Sequence, residues 1–349
     1  VSNVIIPAEI KVSGRYKAIK YDKDLNEIFE TPWGKNLITG AGLDFLLNAT
    51  GAGSMYLHGV AGTGNGAPSL SDSTLQAYAG KYNACQSMVI EKNFTTAPYY
   101  VKVTTTHRYY PGAFGASAVN IAEFGMVFNT SSTPASINAS TVVGSRSLAV
   151  NGAGTPAAVS VLPDEYLDQV WEWTWWIPAS ALANVSIAVD GVGTSTDTEA
   201  RPACMGLSTA QGTPCWFYNG FTQGVEPAGG GNMYIARIFP VATMAEYPQA
   251  TASTWAGTGP LGSAGSNIGG TYAANLICSA AAASSYTAGS YYRDYTFSWG
   301  LDNGNVSPSI GAVKVALNSM MWQVGYSPAI PKVVGKKLVL TFRLSIANV

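Results

Sequence analysis

Val170-Trp171-Glu172-Trp173-Thr174-Trp175-Trp176-Ile177 repeats with a period of two, which sets Trp171, Trp173, Trp175 and Ile177 on one face of an extended strand. Such a face cannot be left in water, because each aromatic side chain brings on the order of 150–250 Å² of surface to bury. The chain therefore needs a deep apolar layer beneath this strand, of the kind that sheets packed face to face provide. Pro178 removes a backbone donor and ends the ladder.

The same alternation recurs in Val101-Lys102-Val103-Thr104-Thr105-Thr106-His107-Arg108-Tyr109, which is rich in β-branched residues. It recurs again from Leu338 to Ile346, where Leu338, Leu340, Phe342, Leu344 and Ile346 are expected to face inward and Thr341, Arg343 and Ser345 outward. Shorter strands are expected at Ile10–Tyr21, Ser54–Gly59, Ala122–Phe128, Ser147–Val150, Ala157–Leu162, Val185–Val189, Asn232–Phe239 and Tyr292–Trp299. Helical candidates are few: Ala41–Ala49, with Leu43, Phe45, Leu46 and Leu47 as an apolar side, and a short turn over Asp72–Gly80. The pattern predicts a mainly β, antiparallel, β-sandwich-like architecture with few short helices and long loops.

The 349 residues suit one large β domain or two ordinary ones. The expected division is an N-terminal β region, 1–178, and a C-terminal β region, 179–349, with a loop-rich insertion at about 179–290; one continuous domain fits the composition equally well. Charged residues make up 11% of the chain against roughly 25% in ordinary globular proteins, so extensive burial or partner surface is expected. A net charge of −1 offers no source for a clustered basic face, and nucleic acid is not an expected partner. No apolar run is long enough to span a bilayer, and Val1–Lys11 lacks the pattern of a signal peptide, so neither membrane insertion nor general export is expected.

Residues that carry chemistry are sparse. Cys85, Cys204, Cys215 and Cys278 are widely spaced and read as free, mostly buried thiols, with a Cys204–Cys215 disulfide as the rival reading. His58 and His107 are the two histidines, and His107 sits inside an alternating strand, which suits packing better than a triad or a metal site. Asp190-Gly191 with Asp197 and Glu199 reads as a solvated turn, since the alternating oxygen ligands of a calcium loop are missing. Asp164, Glu165 and Asp168 flank the tryptophan strand as a pair of glycosidase carboxylates would, but Pro163-Asp164-Glu165 is ordinary turn chemistry. Gly59-Val60-Ala61-Gly62-Thr63-Gly64-Asn65-Gly66 lacks the Lys-Ser/Thr of a phosphate loop and reads as a turn.

Several segments carry a resemblance. Thr31-Pro32-Trp33-Gly34-Lys35-Asn36-Leu37-Ile38-Thr39-Gly40-Ala41-Gly42-Leu43-Asp44 resembles the W-x-x-N-L-I-T-x-x-G-L-D opening of tail-associated proteins of tailed bacteriophages. Val60–Pro68 followed by Asp72-Ser73-Thr74-Leu75 is similar to their G-T-G-N-x-x-P loop and D-x-T-x-L segment. Ile121-Ala122-Glu123-Phe124-Gly125 is similar to their I-x-E-x-G strand, Ser145-Arg146-Ser147-Leu148 to their S-R-x-L, and Leu162–Asp168 to the step before a long strand. Val324–Lys332 resembles their F-x-P-P-I-x-K closure, with Tyr326 and Ala329 departing from it. The order is kept across about two-thirds of the chain.

The resemblance implies a non-catalytic structural component of a bacteriophage virion, in the tail, baseplate or tail tip. It would be made in the host bacterial cytoplasm and assembled as a homo-oligomer, a trimer or ring, with other tail or baseplate proteins. It implies no cofactor and supplies no catalytic, cofactor-binding or metal-ligating residue. Three alternatives stand beside it: a host-surface glycan-binding or receptor-binding module using Trp216, Phe217 and Tyr218, a head decoration or head-to-tail connector protein, and a tail-tip glycan depolymerase.

Overall fold

In the computed structural model the described residues are 5–48, 54–93, 98–130, 136–177, 187–189, 193–195, 197–202, 233–236, 242–246, 280–302, 306–317, 320–332 and 334–349. The elements run β1 (Ile5–Tyr21), β2 (Glu27–Glu30), β3 (Gly34–Ile38), α1 (Gly40–Leu47), β4 (Ser54–Gly62), β5 (Tyr78–Lys81), β6 (Ala84–Asn93), β7 (Tyr99–Tyr109), β8 (Val119–Ile121), β9 (Glu123–Asn129), β10 (Ser145–Leu148) and β11 (Val159–Val161). They continue with β12 (Tyr166–Ile177), β13 (Ile187–Val189), β14 (Gly193–Ser195), β15 (Asp197–Pro202), β16 (Met233–Ala236), β17 (Ala242–Glu246), β18 (Ala280–Ala283), β19 (Tyr292–Trp299), β20 (Val306–Leu317), β21 (Met320–Lys332) and β22 (Leu338–Asn348). The protein is mainly β and predominantly antiparallel, as the alternation predicts.

β1 is the axis. Along one edge it pairs antiparallel with β12, from Lys11 opposite Trp176 to Tyr21 opposite Tyr166. Along the other it meets three strands in turn: β22 in parallel over Ile5–Val12, β3 over Gly14–Tyr16 and β2 over Ile19–Tyr21. Because β22 and β3 take successive stretches of one edge, the 14-stranded sheet forks there. One branch runs β22-β19-β18; the other runs β3-β10-β9-β4, with β5 and β16 on β4. Strands from both expected regions of the chain thus share one sheet. A separate four-stranded sheet, β15-β21-β20-β17, is described by its backbone.

The second branch curls over β12 and β7, and the core lies between. Trp171, Trp173 and Trp175 are at most 1% exposed, and Phe128 of β9 stacks on Trp173 with ring centroids 5.2 Å apart and planes 10° apart. Phe128 also meets the edge of Trp171 at 6.0 Å. Gln169 of β12 donates to the Gly125 carbonyl of β9 (3.0 Å), and His107 of β7 donates through Nε2 to the Leu57 carbonyl of β4 (3.1 Å), so polar ties cross the same gap. Leu340, Phe342, Leu344 and Ile346 are buried as expected, while Leu338 is half-buried. Thr341 departs from expectation: although it lies on the other face, it is 7% exposed, flanked by Ile5 of β1 and by Thr296 of β19, whose hydroxyl is 3.3 Å from its own.

The helix expected near Ala41 is α1, capped by Thr39, whose Oγ1 accepts from Gly42 N at 3.0 Å. The other helical candidate, a short turn over Asp72–Gly80, forms no helical turn. Gln76 N and Ala77 N donate to the Glu123 carboxylate rather than to carbonyls one turn back, and Tyr78–Lys81 then pairs with β4 as β5. The strand expected to reach Val150 ends at Leu148, with Val150 making an isolated bridge to Pro156.

Candidate functional site

Four of the motif segments meet at one buried point. Glu123 starts β9 and Arg146 lies on β10 beside it; both side chains are fully buried, and Arg146 Nε donates to Glu123 Oε2 at 2.7 Å. The same carboxylate accepts from Gly64 N (3.1 Å), Ala77 N (2.8 Å) and Gln76 N (3.2 Å), so it holds the glycine loop and the segment after Asp72 together. Arg146 also donates to Asp72 Oδ2 (2.8 Å) and to the carbonyls of Gly66 (2.9 Å) and Ala67 (3.4 Å). Glycine at position 64 is required by this geometry: a Cβ there would lie 2.5 Å from Glu123 Oε1.

The fourth segment enters through Asn36 of β3. Its amide, oriented to satisfy both neighbours, donates to the Arg146 carbonyl (3.0 Å) and accepts from Trp171 Nε1 (2.8 Å). The ion pair is thereby coupled to the tryptophan row. A buried pair stabilises only where hydrogen bonds replace the lost hydration, and here both Glu123 oxygens and all three Arg146 nitrogens are bonded. The node fixes loops.

His58 and His107 lie on separate strands, β4 and β7, yet both reach Tyr82. His58 Nδ1 is 2.9 Å from the Tyr82 hydroxyl, and the His107 ring meets the Tyr82 ring edge-on at 4.9 Å. Both histidines are completely buried. Burial holds the His107 imidazole neutral, lowering its pKa to about 4, against which the bond to Leu57 is the weaker effect. His107 Nδ1 has no hydrogen-bond partner among the described residues. Cys85, opposite His107 on β6, is buried and forms no disulfide among the described residues.

Two of the three carboxylates beside the tryptophan strand, Glu165 and Asp168, are engaged in ion pairs. Glu165 takes Lys20 at 2.9 Å and Leu162 N at 2.8 Å, closing the turn expected at Pro163-Asp164-Glu165, whereas Asp164 is exposed. Asp168 is held by Arg108 through two bonds of 2.7 Å. No family model, curated protein or solved structure matches this chain. Cys204, Cys215, Cys278, Asp190, Gly191, Trp216, Phe217 and Tyr218 lie outside the described residues, and Asp197 and Glu199 are described only as backbone of β15.

Sequence reading missed the outer face of β1, β12 and β7. There Ser13, Gly14, Arg15, Tyr100, Lys102, Glu172, Thr174 and Trp176 line an open dish of about 320 Å³. Trp176 breaks the inward alternation by following Trp175 directly, so its indole emerges on this side, fixed by a bond from Nε1 to Ser13 Oγ (2.7 Å). Tyr100 meets it edge-on, with centroids 5.7 Å apart. Arg15 grips Glu172 with bonds of 2.7 and 3.0 Å while its guanidinium lies 4.4 Å from the centre of the Trp33 ring. Lys102 sits between Glu91 (2.7 Å) and Glu172 (3.9 Å). Only the strand register brings these residues together, since Arg15 and Glu172 are opposite one another across 157 positions of sequence.

Proposed function

We propose that this chain is a non-catalytic structural component of a bacteriophage virion, in the tail or tail tip, assembled as a homo-oligomer among other tail or baseplate proteins. The observation that carries the reading is the convergence of the ordered motifs on one buried node. Asn36, Gly64, Asp72, Glu123 and Arg146 come from four segments of the resemblance, and their side chains or backbone bond to one another. Motifs that record a shared fold should converge in this way, whereas accidental matches would scatter.

The low charge of the chain fits the same role, since particle proteins rely on burial and uncharged contacts that salt does not weaken. Cryo-electron microscopy of the intact particle is the test, with the chain traced into the density. Symmetric copies in contact with tail or baseplate proteins would bear the proposal out. Density for the chain only on the head shell would replace it with the head-decoration alternative, and absence from purified particles would end it.

A further inference from the structure

We infer that the dish on the outer face of β1, β12 and β7 is a binding site for a neutral saccharide, with Trp176 and Tyr100 as its platform and Arg15, Glu172, Lys102 and Thr174 as its polar rim. The inference does not rest on the virion proposal. It rests on the match between the lining of the dish and the two-sided chemistry of a pyranose ring.

A pyranose offers an apolar face of C–H bonds and an edge of hydroxyls that each donate and accept. The dish offers the complement. Trp176 and Tyr100 stand edge-to-face and form an aromatic corner, and the Trp176 N–H is already spent on Ser13, so what the indole has left to offer a ligand is its ring. Around that corner lie donors in Arg15 and Lys102, an acceptor in Glu172, and a hydroxyl in Thr174 that serves as either. The volume of about 320 Å³ is at the lower end of small-molecule sites and suits one or two sugar rings.

Charge decides against the other small-ligand classes. Arg15 is committed to Glu172, and Lys102 to Glu91 and Glu172. An anion would have to displace these carboxylates and sit beside them, and a cation would meet Arg15 and Lys102. A wholly apolar ligand would strip water from three charged groups, Arg15, Lys102 and Glu172, and return no hydrogen bonds. A neutral polyol can bond to the ion-paired rim without breaking it.

The site is also fixed before a ligand arrives, which lowers the entropic cost of binding. Arg15 is held between Trp33 and Glu172, Trp176 is tied to Ser13, and the backbone beneath is a continuous antiparallel ladder. Trp33 belongs to the opening motif, so the motif that supplies Asn36 to the buried node also braces the outer dish.

The test uses the full chain and a panel of linear tri- to hexasaccharides of glucose, galactose, mannose, rhamnose and N-acetylglucosamine, with heparin fragments as the anionic comparison. Binding is read by saturation-transfer NMR and titration calorimetry. Saturable binding of at least one neutral member is expected, with affinity reduced about tenfold or more by Trp176→Ala, the scale of a lost stacking contact. If that variant fails to fold, Tyr100→Ala removes the other half of the platform from a half-buried position and should lower the affinity by a similar factor. The inference is overturned if no neutral saccharide binds, if both variants bind as the parent does, or if heparin alone binds and is released by salt.

Discussion

Arg146 and Glu123 form a bidirectional support: the guanidinium neutralises a carboxylate that would otherwise lie alone in the core, and the carboxylate aligns a guanidinium that closes two loops. Breaking such a pair from one side leaves an uncompensated charge, at a cost of about 3–5 kcal/mol. Arg146→Met should lie at the upper end, because Glu123 then keeps only backbone donors. Glu123→Gln should cost less, because Asp72 still holds the guanidinium. In a double-mutant cycle read by urea unfolding, the two losses should fall well short of additive. Losses below about 1 kcal/mol from both single variants would show that the loops are held by something else.

Trp173 is the centre of the aromatic stack, with Phe128 on one face and Trp175 at 4.5 Å. Trp173→Ala should destabilise the protein by about 3–5 kcal/mol, the range for emptying a large aromatic site. Trp173→Phe keeps the stacking partner for Phe128 and should lose less than half as much. Denaturant midpoints at a shared slope decide this, and equal losses from both variants would count against the stacking argument.

The strands that were legible in the sequence, β7, β12 and β22, are those whose two faces meet different surroundings, so the period of two is written in residue type. β6 was not legible: Ser87-Met88-Val89-Ile90 has no clean alternation, a bulge falls between Cys85 and Ser87, and Val89 is 58% exposed. β20 and β21 were missed for a related reason, being written largely in small and mixed residues such as Ser307-Pro308-Ser309. Asp72–Gly80 is non-helical for another reason. Local propensity permits a turn of helix there, but Glu123, 47 positions from Gln76, captures the backbone donors a helix would use. The residues of the outer dish are likewise scattered between Ser13 and Trp176, and only the strand register assembles them.

His107 makes stability depend on pH. Its pKa is about 4 in the folded protein against about 6.5 in an unfolded chain, so below pH 6.5 the unfolded state takes up a proton that the folded state refuses. Stability from this group is therefore fully present above pH 6.5 and declines as pH falls, by about 3 kcal/mol in total by pH 4. His107→Gln keeps a donor for the Leu57 carbonyl and removes the titration. Unfolding free energies between pH 7 and 4.5 should slope less steeply in the variant. His58 remains in both proteins, so the difference between the curves reports His107 together with its repulsion by His58. Parallel curves would show that His107 is not the titrating group.

Gly42 lets α1 touch the turn before β10. A Cβ at this position would lie 2.0 Å from the Gly144 carbonyl oxygen, which is backbone and cannot swing aside, and which also accepts from Thr39 N at 3.0 Å. Helix propensity alone would favour Gly42→Ala by about 1 kcal/mol. Overpacking against a fixed backbone costs about 1–3 kcal/mol and more where the contact is this close, so the clash should win. The expected outcome is a net loss of stability, with Gly152→Ala, where a Cβ meets open space, changing it by no more than about 0.5 kcal/mol. Thermal midpoints of the two variants beside the parent check this. A stabilised Gly42→Ala protein would mean that α1 can shift away from Gly144, and that the Thr39 cap rather than the close glycine contact sets the helix in place.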